Sequence, residues 1–181
     1  MARTISRGRR WLKRLGALAL LAALLILAAL LRGPPERLST ADGATVYVVD
    51  GDSLRIGDRM VRLEGIDAVE LHQACRSGDD VQWSCGLQAR DALRDLVARG
   101  GLACEARGHD RYGRAVSRCA VSGVPDIAGA LVEQGWAIHL GRGGGDRYRD
   151  REAAARDAGR GIWRGSFDAP AAWRAAHPRT D

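Results

Sequence analysis

Three short stretches of this chain carry side chains suited to phosphate chemistry. They are Asp50-Gly51-Asp52-Ser53, the run Arg62-Leu63-Glu64-Gly65-Ile66-Asp67-Ala68-Val69-Glu70, and Asp110-Arg111-Tyr112-Gly113-Arg114. Hydrolysing a phosphodiester at neutral pH meets three difficulties. The phosphate repels a nucleophile, water is a weak one, and the transition state gathers negative charge. A divalent cation and arginines address the first and third, and a carboxylate base addresses the second. Aspartates and a backbone carbonyl are oxygen donors of the kind a hard cation such as calcium takes. Each stretch alone has a plainer reading. Asp50-Gly51-Asp52 suits a turn, Arg62 and Glu64 suit a solvated strand face with an ion pair, and residues 110–114 suit a hairpin turn with an Asp cap. The conjunction in one chain raises the chemistry above those readings.

The rest of the chain must bring the three stretches together. Residues 44–49 are rich in β-branched side chains and read as a strand. Residues 53–56 and 59–63 read as a hairpin about Gly57-Asp58, so the first three strands form a meander. Strict alternation would put Arg62 and Asp67 on opposite faces of one strand. They converge only if the strand ends or bulges between them, and Gly65 is the natural place. Residues 71–84 show no periodicity and read as a loop. Ala89, Leu93, Leu96 and Val97 follow helical spacing within residues 86–99, and Gly100-Gly101 ends that helix. Residues 102–106 and 114–122 read as two more strands. Asp126 is positioned to cap a helix that Gly135 closes. Residues 146–158 read as a third, Ala/Arg-rich helix after a Gly-rich loop at 141–145. The order β-β-β-α-β-β-α-α is that of a five-stranded OB-fold barrel with three helices, although periodicity alone does not select it over another small α+β barrel.

Taken together and in this order, the three stretches resemble the thermonuclease (staphylococcal-nuclease-like) family, calcium-dependent nucleases on an OB-fold. The resemblance covers about residues 44–165 and includes Ile127, Leu131-Val132, Gly135 and Gly161-Ile162-Trp163. It implies a Ca2+ held by Asp52, Asp67 and the carbonyl of Ala68. It implies Glu70 as general base or water-positioner, Arg62 and Arg114 as catalytic arginines, and DNA or RNA cut to leave 3′-phosphate ends. Two positions depart from the family pattern. Ser53 replaces the usual Thr and keeps the hydroxyl. Val69 replaces the usual Pro just before Glu70 and removes a φ restraint there. The resemblance also implies base stacking on tyrosines, one matching Tyr112, beside Arg111. The others would follow the helix that ends at Gly135, where this chain has Ile138-His139-Leu140-Gly141-Arg142 and no Tyr before Tyr148. A thinner aromatic platform is therefore expected. The rival reading is a catalytically weak or inactive module that binds nucleic acid or protein on the same fold.

Charge must be partitioned before it says anything about partners. Residues 1–37 hold eight basic side chains and one acidic, a surplus of seven, while the whole chain of 181 residues is +6. The remainder is therefore −1, and the basic balance of the chain is no argument for nucleic-acid binding. Residues 1–14 are basic, and residues 15–31 are an unbroken apolar run long enough to span a bilayer. No small-x-small cleavage site follows the run closely. The expected organisation is a cytoplasmic segment at 1–14, a transmembrane signal anchor at 15–31 and a linker at 32–43. A thermonuclease-like domain at 44–165 and a tail at 166–181 would follow. The positive-inside rule puts that domain outside the cytoplasm; a cleaved signal peptide is the alternative. A monomer is expected.

Four cysteines fit an oxidising compartment. Their spacing lacks the close pairs of a zinc site. Cys104 and Cys119 are symmetric about the midpoint of a hairpin at Arg111 and Tyr112, so they should face each other on adjacent strands, leaving Cys75 with Cys85. The histidines His72, His109, His139 and His177 have no metal spacing. Trp136 and Trp163 suit a core, and the Gly143-Gly144-Gly145 run lacks the features of a phosphate loop.

Overall fold

The computed structural model describes residues 6–31, 36–41, 43–141 and 146–178, with first-helix side chains for Trp11 and residues 14–27. The chain divides into two units, Met1–Pro35 and Glu36–Asp181. In the first, α1 (Ser6–Leu31) is one helix of 26 residues. Among the described residues no helix is long and apolar enough to cross a membrane. The expected span at 15–31 lies on α1, and the side chains of its last four residues fall outside the described set. The transmembrane expectation therefore finds no support in the structure.

The second unit opens with β1 (Arg37–Ser39), in the stretch expected to be linker. β2 (Val46–Val48), β3 (Ser53–Ile56) and β4 (Arg59–Leu63) form the expected meander, with Ile56 opposite Arg59 across the Gly57-Asp58 turn. β4 stops at Leu63. Gly65 then turns the chain with φ +80°, a conformation that costs glycine little, and β5 (Ile66–Ala68) sets off from there. β6 (Cys75–Ser77) and β7 (Gln82–Trp83) lie in the stretch read as a loop. Strands this short display no period. α2 (Cys85–Val97) buries Ala89, Ala92, Leu93 and Leu96, close to the predicted face.

β8 (Ala103–His109) and β9 (Ala115–Ala120) form the second hairpin, with a bulge between Ala106 and Gly108. α3 (Ile127–Glu133) is capped as anticipated: the Gly129 N–H donates to the Asp126 carboxylate at 3.1 Å. β10 (Ala137–His139) is unanticipated and pairs with β5, setting Ile138 opposite Asp67. α4 (Arg149–Asp157) starts three residues later than its predicted first residue, Asp146. β11 (Gly165–Ser166) pairs with β6, and α5 (Pro170–Ala176) lies in the stretch expected to be a tail.

Among the described residues the main sheet has six strands, in the order β1-β8-β9-β4-β3-β2, where five were expected. All neighbours are antiparallel except β4 and β9, which run parallel with Arg62 opposite Val116. The sheet packs around Leu54, Val61, Leu63, Leu102 and Val121, with α2 and α3 against it through Leu93, Leu96, Ile127 and Leu131. A curled sheet with helices over its open side is an OB-like arrangement. A smaller apolar cluster joins Val69, Cys75, Cys85, Ala89 and Ile162. Both expected disulfides are present. Cys75–Cys85 has Cα atoms 5.6 Å apart, and Cys104–Cys119 has them 4.1 Å apart on directly paired residues.

Candidate active site

Each acidic and basic side chain singled out from the sequence reaches the site from a different element. Asp52 sits in the turn before β3, Arg62 on β4, Asp67 and Ala68 on β5, Glu70 just after β5, and Arg114 at the foot of β9. The turn at Gly65 does what alternation alone forbids. Arg62 Nη2 donates to Asp67 Oδ1 at 2.7 Å, while Arg62 Nη1 donates to Asp52 Oδ1 at 2.9 Å. One guanidinium thus joins two aspartates that are each nearly inaccessible, Asp52 at 3% exposure and Asp67 at 2%.

The network continues on both sides. Ser53 Oγ donates to Asp52 Oδ1 at 2.9 Å and accepts from Arg114 Nη1 at 3.3 Å. The hydroxyl kept at this position is therefore in use. Arg114 is aimed by Asp110, whose Oδ2 accepts from Arg114 Nε at 2.7 Å. Asp110 Oδ1 accepts from the amides of Tyr112 and Arg114 and so closes the turn between β8 and β9. Slight burial pushes the Asp110 carboxyl up, but the Arg114 contacts and the two amides outweigh it and hold it below the usual carboxylate range. Asp110 was legible as a turn cap; its grip on Arg114 needed the fold.

Asp52 is the most heavily perturbed acid. Complete burial pushes its carboxyl up to about 7, against the pull of Arg62 and the Ala68 N–H and with the help of repulsion from Asp50 and Asp67. The Ala68 N–H donates to Asp52 Oδ2 at 3.0 Å, which ties the turn before β3 to β5. Burial works against the charge on Arg62, yet Asp52 and Asp67 more than offset it and raise its already high pKa.

Glu70 is held through its backbone. Its N–H donates to Gln73 Oε1 at 3.1 Å, and its carbonyl accepts from the Gln73 N–H at 2.8 Å. Gln73 is 1% exposed, and its Nε2 donates to the carbonyl of Asp168 at 2.7 Å. Val69 is buried in the small apolar cluster beside the Cys75–Cys85 disulfide. Val69 is 1% exposed there, so it is held by packing where a proline would be held by its ring. Gln73 gave no signal in the sequence, because a lone glutamine in a stretch without periodicity has many uses.

Arg174 on α5 was also missed. Its Nη1 donates to Asp67 Oδ1 at 3.0 Å and to Glu70 Oε1 at 2.7 Å, and its Nη2 donates to Asp67 Oδ2 at 2.9 Å. These contacts raise its pKa further above the usual arginine range, against the opposing effect of burial. One connected set of hydrogen bonds now runs from Arg114 through Ser53, Asp52, Arg62, Asp67 and Arg174 to Glu70.

Tyr112 stands at the tip of the β8–β9 hairpin, 69% exposed, with Arg111 Cζ 4.9 Å and Arg114 Cζ 5.6 Å from its ring centre. Tyr148 is not available as a platform. Its ring is buried and its hydroxyl donates to Asp126 at 3.0 Å, where burial and Asp126 push its pKa up to about 12. Arg142 and the glycine run at 143–145 lie outside the described residues. Glu64 pairs instead with Arg118 at 2.5 Å. Trp136 and Trp163 pack against the apolar clusters, as expected of core side chains.

The donor set can be tested against a hard cation. Among the described residues no cluster of three or more His, Cys, Asp or Glu forms a cage for a metal ion. Two aspartates and a carbonyl nonetheless suit calcium, provided that water and a substrate phosphate complete its shell. All the side-chain donors are oxygens, and Arg62 already holds the two carboxylates side by side.

Comparison with known proteins bears on this geometry. Residues 60–165 match the family described as staphylococcal nuclease homologue. The succinoglycan biosynthesis protein ExoI of Rhizobium meliloti is 34% identical over 118 residues, covering 65% of this chain and 62% of that protein. A probable endonuclease, LCL3, of Schizophyllum commune is 31% identical over 122 residues, covering 57% of this chain and 39% of its own length. The matched region thus spans less than two thirds of each of these relatives.

Proposed function

The chain belongs to the staphylococcal nuclease homologue family, and on that premise we propose that it is a calcium-dependent endonuclease cleaving DNA or RNA to leave 3′-phosphate ends. The observation that carries the reading is the hydrogen-bonded set joining Arg114, Ser53, Asp52, Arg62 and Asp67 beside Glu70. It gathers the guanidinium groups of Arg62 and Arg114, two buried carboxylates and the Glu70 carboxylate, paired with Arg174, at one place. That is more than a solvated strand face or a capped turn requires.

Asp52, Asp67 and the Ala68 carbonyl would hold the cation. Bound calcium would supply positive charge to neutralise the phosphate. Arg62 and Arg114 are restrained by their carboxylate partners, so they can donate to phosphate oxygens without costly reorganisation as charge develops. Glu70 would accept the proton of the attacking water. Tyr112, flanked by Arg111, offers a face on which one base can stack.

The two disulfides favour an oxidising compartment, so we place the domain outside the cytoplasm. Attachment to the cytoplasmic membrane through residues 15–31 rests on the sequence alone, and fractionation with an alkaline wash would test it. The rival is a nucleic-acid- or protein-binding module. It draws on the thin aromatic platform: Tyr112 stands beside Arg111 and Arg114, while Tyr148 is buried. Digestion of plasmid DNA and of RNA by the full chain, with calcium or with chelator, separates the two. Cutting that needs calcium supports the nuclease. Binding without cutting at millimolar-scale calcium would move the assignment to the module.

A further inference from the structure

We propose that the C-terminal helix α5 is an internal inhibitor of this site, with Arg174 occupying the place of the divalent cation. The inference rests on the nuclease reading above. Its physical basis is competition for the same oxygens. Both oxygens of Asp67 accept from Arg174, at 3.0 and 2.9 Å, and Asp67 Oδ1 also accepts from Arg62 at 2.7 Å. The same Arg174 Nη1 holds Glu70 Oε1 at 2.7 Å. In this arrangement a cation cannot take Asp67 Oδ2, and a water cannot take the Glu70 oxygen that Arg174 holds. Both obstacles are removed by one movement of one side chain.

The segment that carries Arg174 is suited to leaving. α5 has seven residues and no side-chain cap at its first turn. Besides the Arg174 bonds themselves, its anchorage includes buried Pro170, the Gln73–Asp168 hydrogen bond and the edge of Phe167 against Trp163, with ring centres 5.0 Å apart. Arg174 itself remains 42% exposed even while paired. Asp67, by contrast, is fixed by β5 and Arg62. A doubly charged cation therefore meets rigid ligands and a singly charged, solvent-accessible competitor. Arg174 contacts the base as well as a metal ligand, which distinguishes this role from that of a third phosphate-binding arginine. Such a residue would face the substrate and leave Glu70 open.

Calcium affinity of the full chain, measured by titration calorimetry, is the first test. Arg174→Ala should bind calcium about tenfold more tightly than the wild type, because the competing charged hydrogen bonds are gone. Arg174→Lys, which keeps the charge but loses the fork, should fall between them. Arg94→Ala serves as the control for net charge, since Arg94 pairs with Asp91 on the exposed face of α2. Hydrogen exchange provides a second readout. Saturating calcium should speed exchange at the Trp173 and His177 amides, which hold α5 together, and in Arg174→Ala they should already exchange fast without calcium. Equal affinities for wild type and Arg174→Ala, or an equal gain in Arg94→Ala, would overturn the inhibitor while calcium-dependent cutting left the nuclease reading intact. If neither protein bound calcium, the cation premise and the inhibitor would fall together.

Discussion

Gly86 and Glu70 approach more closely than any side chain at position 86 would allow. A β-carbon there would lie 1.8 Å from the Glu70 carbonyl oxygen and 2.6 Å from that of Leu71. The first turn of α2 is therefore pressed against the backbone that carries the proposed base. Gly86→Ala must push the two apart, and overpacking of this kind costs about 1–3 kcal/mol. We expect a lower urea midpoint together with a loss of nuclease activity larger than the loss of folded protein explains. An alanine variant with wild-type stability and rate would show that the approach is not needed.

Substitutions in the hydrogen-bonded set should separate chemistry from stability. Glu70→Gln and Arg114→Ala should each lower the cleavage rate by about 10²–10³ with little change in unfolding. Arg62→Ala should lose at least as much rate and also destabilise the domain by about 3–5 kcal/mol, because it leaves Asp52 buried without its guanidinium partner. Asp52→Ala and Asp67→Ala should be partly rescued by excess calcium. Glu64→Gln is the control two residues from Arg62, paired with Arg118 and not with the aspartates, and should leave the rate nearly unchanged. Full activity in Glu70→Gln would refute the assigned base.

The buried Asp52 makes stability depend on pH in an unusual direction. Its folded pKa is raised to about 7 by burial, above the value near 3.9 of an unfolded aspartate. Between those values the folded state binds a proton that the unfolded state releases, so the metal-free domain loses stability as pH rises through the window. Urea unfolding in chelator at about pH 5 and about pH 8 reads the effect. Wild type should lose more stability over this interval than Asp52→Asn; equal losses would exclude Asp52 as the source.

The two disulfides should differ in consequence. Cys75–Cys85 lies in the apolar cluster that buries Val69, next to Glu70, whereas Cys104–Cys119 crosses the β8–β9 hairpin. Replacing either pair by serines should cost about 2–4 kcal/mol. Only the Cys75/Cys85 replacement should also lower the rate of the remaining folded protein. Equal rates in the two double variants, at matched folded fraction, would argue against the cluster as support for Glu70.

Stacking on Tyr112 should be worth about 1–3 kcal/mol per base. Tyr112→Ala should therefore weaken binding of short single-stranded DNA by tenfold or more. Unchanged affinity, measured by fluorescence anisotropy, would mean that Arg111 and Arg114 hold the strand through phosphate alone.

The three chemical stretches, the meander, the helices α2 and α3, the cap at Asp126 and both disulfides were all legible in the amino-acid sequence. They depend on short-range signals: alternation, helical spacing, a turn glycine, a hairpin's symmetry. Even the need for a break between Arg62 and Asp67 followed from strand geometry, and Gly65 supplies it. What tertiary structure decided was which distant groups touch. β10 pairs with β5 through three residues, and β6, β7 and β11 are three or two residues long, too short to carry a period of their own. Gln73 clamps Glu70 from inside a stretch without pattern. Arg174 lies 107 residues from the aspartate it holds and sits in a segment whose composition suggests only a tail. No local rule links such a pair. Its contact exists because β11 and the Gln73–Asp168 bond bring the end of the chain back over β5, and that closure is a property of the folded surface.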